Sequence, residues 1–253
     1  MQRIRTVRLA LLLCATSACG ALSTQPFPDT HYVATLAEPG TVSQQNFTFS
    51  GNGATYPYLV FTPTAWTADK KMPAILLIHG AGGTGSDMLS LWQSFADQHG
   101  IVVVAPTFPL DAQWETFVPQ LFPALMDTVR QSLHFDPKRV YVFGYSAGSY
   151  STFDAATLSS NYFAAAGVFA GVITPDYDYI VTEATRKTPI AIYIGDQDQY
   201  FTLTETRRTR DLLLSNGFPV HYVEIPNQDH NYPAISDYVN SDVWAYMSQY
   251  SLP

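Results

Sequence analysis

The chain has 253 residues, of which 47% are apolar and 13% charged, and its formal net charge is -8. That length suits one large domain with a well-buried core, and the composition excludes a disordered chain. The acidic balance argues against a nucleic-acid partner, whose phosphates need a basic stripe.

In chain order, the opening segment "MQRIRTVR" carries three arginines and no acid. The apolar run "LALLLCATSA" follows. It is too short to span a bilayer and reads as the core of a secretion signal. Thr16, Ser17 and Ala18 then precede Cys19 and Gly20. This resembles a bacterial lipoprotein signal, in which Cys19 becomes the lipidated first residue and anchors the mature chain to a bacterial membrane. Thr16 stands where a leucine is usual, and ordinary cleavage near Ala18 or Ala21 is the alternative. Residues 1–21 are therefore read as a signal peptide. The expected location is exported: periplasmic and outer-membrane-anchored, or extracellular. Cys14 and Cys19 are the only cysteines, so the mature domain is expected to lack a disulfide and to rest on its core. The polar, proline-bearing residues 22–43 read as a tether, and 44–253 as the folded domain.

"QQNFTFS" and "YPYLVFTP" form two strands around the turn signal "GNGA". Six short apolar runs follow: "MPAILLIHG", "IVVVAPTF", "RVYVFGYS", "FAAAGVFAG", "PIAIYIGD" and "VHYVEIP". Such runs suit strands covered on both faces, as in a parallel sheet. Between them lie helical stretches. "SDMLSLWQSFADQHG" takes Ser86 as its cap and closes at Gly100. In "ETFVPQLFPALMDTVRQSLHF", Pro119 and Pro123 interrupt the pattern, so the helix is expected to settle after Pro123. "LTETRRTRDLLLSNGF" ends at Gly217, and "YPAISDYVNSDVWAYMSQYSL" closes the chain. Alternating strands and helices imply right-handed crossovers and a mostly parallel sheet with helices on both faces. No internal repeat, low-complexity tract or second domain is visible.

In such a sheet, ligands bind beyond the carboxyl ends of the strands. "VYVFGYSAGS" places Ser146 there, inside Gly144-x-Ser146-x-Gly148. This is the G-x-S-x-G pattern of a nucleophile elbow, a strand-to-helix turn too tight for side chains at the flanking glycines. A serine so placed projects from the sheet above a helix N-terminus, where N–H groups stabilise an oxyanion. Its hydroxyl needs a base, and the base needs an orienting carboxylate, in the order serine, acid, histidine. Only His221 and His230 follow the serine. His221 falls inside a strand run and reads as a packed residue. His230 lies in the loop "PNQDHNYP" and is favoured. Asp196 and Asp198 both follow the strand "PIAIYIG". Asp198 is favoured as the orienting acid, Asp196 as a residue bonding the backbone of its own turn, and Asp176 stands third. His31, His99 and His134 read as surface or packing residues.

"HGAGGTGSD" ends the strand "AILLIHG" and lets backbone N–H groups face a substrate. Ala81 is expected to donate one oxyanion N–H, with Gly82 as the alternative, and Ala147 the other. His79 reads as a structural residue beneath that loop. The Lys-Ser/Thr ending of a phosphate loop is missing. "FPLDAQWETF" is expected to rim the site, with Trp114 as a substrate contact and Phe108 as either a contact or a core residue. Tyr200 and Phe201, just past the acid, are further contact candidates.

Together "LLIHGAGGTGSD", "VYVFGYSAGS", "IYIGDQDQYF" and "NQDHNY" resemble the α/β-hydrolase superfamily, over roughly residues 44 to 250. Within it, the chain resembles secreted polyhydroxybutyrate depolymerase and feruloyl esterase-like serine esterases. The resemblance implies an α/β-hydrolase fold, a sheet of about eight strands, and ester cleavage through an acyl-enzyme on Ser146 with His230 and Asp198. It implies no metal and no organic cofactor. Gly171 to Thr188 is too short for a large cap, so an open site is expected. The ester is left unassigned among feruloyl, acetyl, polyester and small acyl esters. The alternatives are a serine peptidase of the prolyl-oligopeptidase type, without its propeller, and a non-catalytic surface-anchored binding protein on the same fold.

Overall fold

The computed structural model describes residues 40–109 and 118–253. The signal segment, Cys19, most of the tether, and Trp114 lie outside the described residues. Eight strands form one sheet in the order β1-β2-β4-β3-β5-β6-β7-β8. They are β1 (Thr41–Thr48), β2 (Thr55–Thr62), β3 (Ala74–Ile78), β4 (Val102–Pro106), β5 (Val140–Tyr145), β6 (Ala165–Phe169), β7 (Ile190–Gly195) and β8 (Val220–Ile225). β2 runs antiparallel to both β1 and β4, and every pairing from β4 to β8 is parallel. β1 takes in Thr41 to Ser43, which the sequence reading gives to the tether. Their backbone pairs with Val60 to Thr62.

Among the described residues, six α-helices cover the sheet: α1 (Gly85–His99), α2 (Val118–Leu133), α3 (Gly148–Leu158), α4 (Tyr179–Glu183), α5 (Leu203–Ser215) and α6 (Ser236–Met247). One face of the sheet packs on Leu121, Phe122 and Leu125 of α2, Phe153 of α3 and Leu213 of α5. The other packs on Met88 and Trp92 of α1 and on Val239 and Val243 of α6. Strands β3, β4 and β6 are buried at every position because both faces are covered. β8 reads alike in sequence but is half-buried throughout, since it is the outer strand.

Two helix starts differ from expectation. α1 is capped by Thr84, not Ser86. The Thr84 hydroxyl accepts from Asp87 N–H at 3.3 Å and Asp87 Oδ2 accepts from Thr84 N–H at 2.8 Å. This reciprocal pair satisfies two donors at once, which Ser86, one residue inside the helix, cannot do. α2 does not wait for Pro123 but carries it inside. A proline leaves the carbonyl four residues earlier, here that of Pro119, without its helical donor. The Ser159 hydroxyl donates to that carbonyl at 2.8 Å and replaces the missing bond. Between β6 and β7 the chain makes only a 3-10 turn (Pro175–Tyr177) and the short α4, with no large cap.

Candidate active site

The elbow is built by contacts that admit no side chain. A Cβ on Gly144 would meet Thr152 Oγ1 at 2.1 Å, and one on Gly148 would meet the His79 carbonyl at 2.5 Å. Between them Ser146 has φ of 55°. A non-glycine residue in this left-handed region stores strain of order 1–3 kcal/mol, which the surrounding contacts hold in place. The Ser146 N–H donates to the Phe169 carbonyl at 3.0 Å, so the turn is tied to β6.

The serine side chain meets a histidine and an acid. Ser146 Oγ lies 2.8 Å from His230 Nε2, and His230 Nδ1 lies 2.7 Å from Asp198 Oδ2. The Asp198 side chain is fully buried and that of His230 is 11% exposed. The other Asp198 oxygen, Oδ1, accepts from the N–H groups of Tyr200 at 2.8 Å and Phe201 at 2.9 Å. Burial pushes the Asp198 carboxyl up. The bonds from His230, Phe201 and Tyr200 outweigh it and leave the carboxyl below the usual range. Asp198 is therefore a carboxylate at neutral pH, held as an acceptor on both oxygens.

Asp196 has a different role from the one expected. It bonds the histidine loop rather than its own turn: its Oδ1 accepts from Asn227 N–H at 2.8 Å. The Asp196 and Gln197 N–H groups add bonds to the carbonyls of Ile225 at 3.0 Å and Gln228 at 2.9 Å. The acid turn and the histidine loop are thus zipped together. Asp176 is exposed on the 3-10 turn. His221 stays on β8, bonded to Asp242 at 2.8 Å and stacked on Tyr246.

Nothing local in the sequence marks Tyr145, because its partner lies far along the chain. Its hydroxyl donates to the His230 carbonyl at 2.8 Å, and its ring lies 5.2 Å from the imidazole. Tyr145 is the chain neighbour of Ser146, so this bond ties the histidine loop to the turn that carries the serine. Tyr145→Phe deletes one neutral hydrogen bond, a change of about 1 kcal/mol. We expect kcat for ester hydrolysis to fall about tenfold with KM nearly constant, because small misplacements of reacting groups are costly. Steady-state kinetics beside a melting curve checks this, and an unchanged kcat contradicts it.

A turn closes the other side of the serine. Gly83 N–H donates to the Gly80 carbonyl at 3.1 Å, and Gly82 has φ of +71°. Neither Ala81 nor Ala147 has an N–H bonded to a protein acceptor among the described residues. α1 and α5 each begin with a threonine cap and an acid in the first turn. α3, behind the elbow, begins with neither. There the Ser149 N–H donates to the Ser146 carbonyl at 2.9 Å.

His79 supports this turn from beneath. Its Nδ1 donates to the Gly80 carbonyl at 2.7 Å, and its Nε2 accepts from Phe108 N–H at 3.0 Å. Burial holds the imidazole below its ordinary pKa. The unfolded chain then binds a proton below about pH 6.5 that the folded chain refuses. Stability from this group is complete above that pH and is lost as the pH falls towards the folded value. We expect the melting temperature to drop from pH 7 to pH 5, and His79→Gln to flatten part of that drop. An identical pH profile in His79→Gln contradicts the assignment. Phe108 is a core residue, 3% exposed and edge-on to Tyr56 at 5.1 Å.

The model of the dienelactone hydrolase family matches residues 108–247, which include Ser146, Asp198 and His230. The chain belongs to the dienelactone hydrolase family. That membership places it in the α/β-hydrolase superfamily. Solved structures share the family's fold. A thermostable esterase superposes with a TM-score of 0.66 at 22% identity, over 83% of this chain and 63% of that one. The chain therefore spans less than two thirds of that esterase. The poly(3-hydroxybutyrate) depolymerase from Bordetella parapertussis gives 0.67 at 18% identity, over 81% and 89%. A ferulic acid esterase from Anaeromyces mucronatus gives 0.64 at 15% identity, over 83% and 90%. No curated protein matches the sequence.

Proposed function

We propose that this dienelactone hydrolase family member is a serine esterase that cleaves carboxylic esters through Ser146, His230 and Asp198. The observation that carries the reading is the continuous line from Ser146 Oγ to His230 Nε2 at 2.8 Å and from Nδ1 to Asp198 at 2.7 Å. In this reading Ser146 Oγ attacks the ester carbonyl and passes its proton to His230 Nε2. Asp198 holds the other nitrogen as a donor and stabilises the imidazolium. The carbonyl oxygen gains charge against the N–H groups of Ala81 and Ala147. His230 then gives the proton to the departing alcohol, and water releases the acyl group by the same steps.

Feruloyl or acetyl esters of polysaccharides and polyesters both suit a site without a large cap. The peptidase alternative shares the fold and triad order. One purified sample assayed on a panel of carboxylic esters and peptide amides separates them. Esters should be turned over and amides should not; amide kcat/KM equal to that for esters would contradict the proposal. We also propose export, with lipid attachment at Cys19, from the basic start and short apolar run of residues 1–21. Mass spectrometry of the mature N-terminus tests it: a retained Met1 contradicts export, and an unmodified Ala or Gly start contradicts only the lipid.

A further inference from the structure

We propose that Tyr200 walls a subsite for the alcohol half of the ester, and that this subsite favours alcohols bearing a flat ring. The inference rests on the catalytic roles proposed for Ser146 and His230. To receive its proton, the departing oxygen must come within about 3 Å of His230 Nε2. Whatever borders the open edge of the imidazole therefore borders the first atoms of the alcohol. The acyl substituent, bonded to the carbon on Ser146, has no such need to pass His230.

Among the described residues, three rings border that imidazole. Tyr145 and Phe201 lie 5.2 Å and 5.9 Å away, inclined by 35° and 29°. Phe201 is buried, and the Tyr145 hydroxyl is committed to the His230 carbonyl. Tyr200 differs. Its ring centre is 4.6 Å from the imidazole, turned by 60°. It is 58% exposed, more than any other large apolar side chain among the described residues. Its backbone is nevertheless fixed, because its N–H donates to Asp198 Oδ1 at 2.8 Å. An exposed ring on a fixed mount, beside the imidazole that hands the alcohol its proton, offers a stacking surface at little ordering cost. An aromatic ring or a pyranose face would bury apolar surface against it.

Benzyl acetate and methyl phenylacetate are isomers that carry the same ring on opposite sides of the ester. Benzyl and methyl acetate pass through the same acetyl-enzyme. We expect Tyr200→Ala to lower kcat/KM for benzyl acetate about tenfold more than for methyl acetate. The ratio of methyl phenylacetate to methyl acetate should stay within about twofold, and Tyr200→Phe should behave as the parent. A methyl glucoside acetylated at its primary hydroxyl, run alongside, separates the sources. A Tyr200-dependent preference there points to a sugar alcohol, and one confined to the benzyl ester to an aryl alcohol. An equal loss on all esters would mean that Tyr200 only holds His230 and would overturn the subsite. So would a selective loss on methyl phenylacetate, or no loss. If Ser146→Ala retained activity on these esters, the catalytic reading would fail, and the subsite with it.

Discussion

Ser146→Ala is expected to lower ester turnover by about three to six orders of magnitude while leaving the fold intact. The hydroxyl is the only group at this corner aligned with a base, 2.8 Å from His230 Nε2. Removing it leaves the elbow, the free N–H groups and the binding surface in place, so a small residual rate over water should persist. The fold should tolerate the change. Alanine keeps the Cβ, and the chain already accommodates an alanine in the same backbone region, Ala170 with φ of 54°. Turnover of a p-nitrophenyl ester and a melting curve on the same sample check both halves. Activity within tenfold of the parent would place the nucleophile elsewhere.

Asp198→Asn is expected to reduce turnover by roughly four orders of magnitude with little loss of stability. Both carboxylate oxygens of Asp198 face donors: His230 on one side, the Tyr200 and Phe201 N–H groups on the other. An asparagine has one acceptor oxygen and one NH2 group. Its oxygen satisfies more partners by turning to the two backbone N–H groups. The NH2 then faces His230 Nδ1 and forces that nitrogen to accept. Nε2 becomes the protonated nitrogen, and the imidazole cannot take the serine proton. Burying a neutral amide costs less than burying a charge, which offsets the altered bonds. Asp196→Asn is the control two residues away. It keeps an acceptor for Asn227 N–H, and we expect activity within a few-fold and a stability change of about 1 kcal/mol or less. A dead, well-folded Asp196→Asn beside an active Asp198→Asn would reverse the assignment.

Much of this arrangement is legible in the residues. A strand covered on both faces needs apolar side chains at nearly every position, so the five runs from "AILLI" to "IAIYIG" stand out without any alternation. The elbow is legible because two glycines are needed where Cβ atoms would overlap the Thr152 side chain and the His79 carbonyl. The choice of Asp198 over Asp196 follows from how far each residue has left the line of β7. Other features depend on partners distant in sequence. Pro123 sits inside α2 because Ser159 supplies the missing donor. Asp196 reaches Asn227, and Tyr145 reaches the His230 carbonyl. None of these pairings leaves a local pattern. The half-burial of β8 comes from its place at the sheet edge, which its apolar sequence does not reveal.

In the proposed mechanism Ser146, activated by His230, is the nucleophile. The most direct measurement is covalent labelling with a serine-directed fluorophosphonate, followed by peptide mapping and the labelling rate. A single adduct on Ser146 is expected, forming in step with loss of esterase activity, with labelling slowed by orders of magnitude in His230→Ala. An adduct on another residue, or labelling of Ser146→Ala at the parent rate, would contradict it.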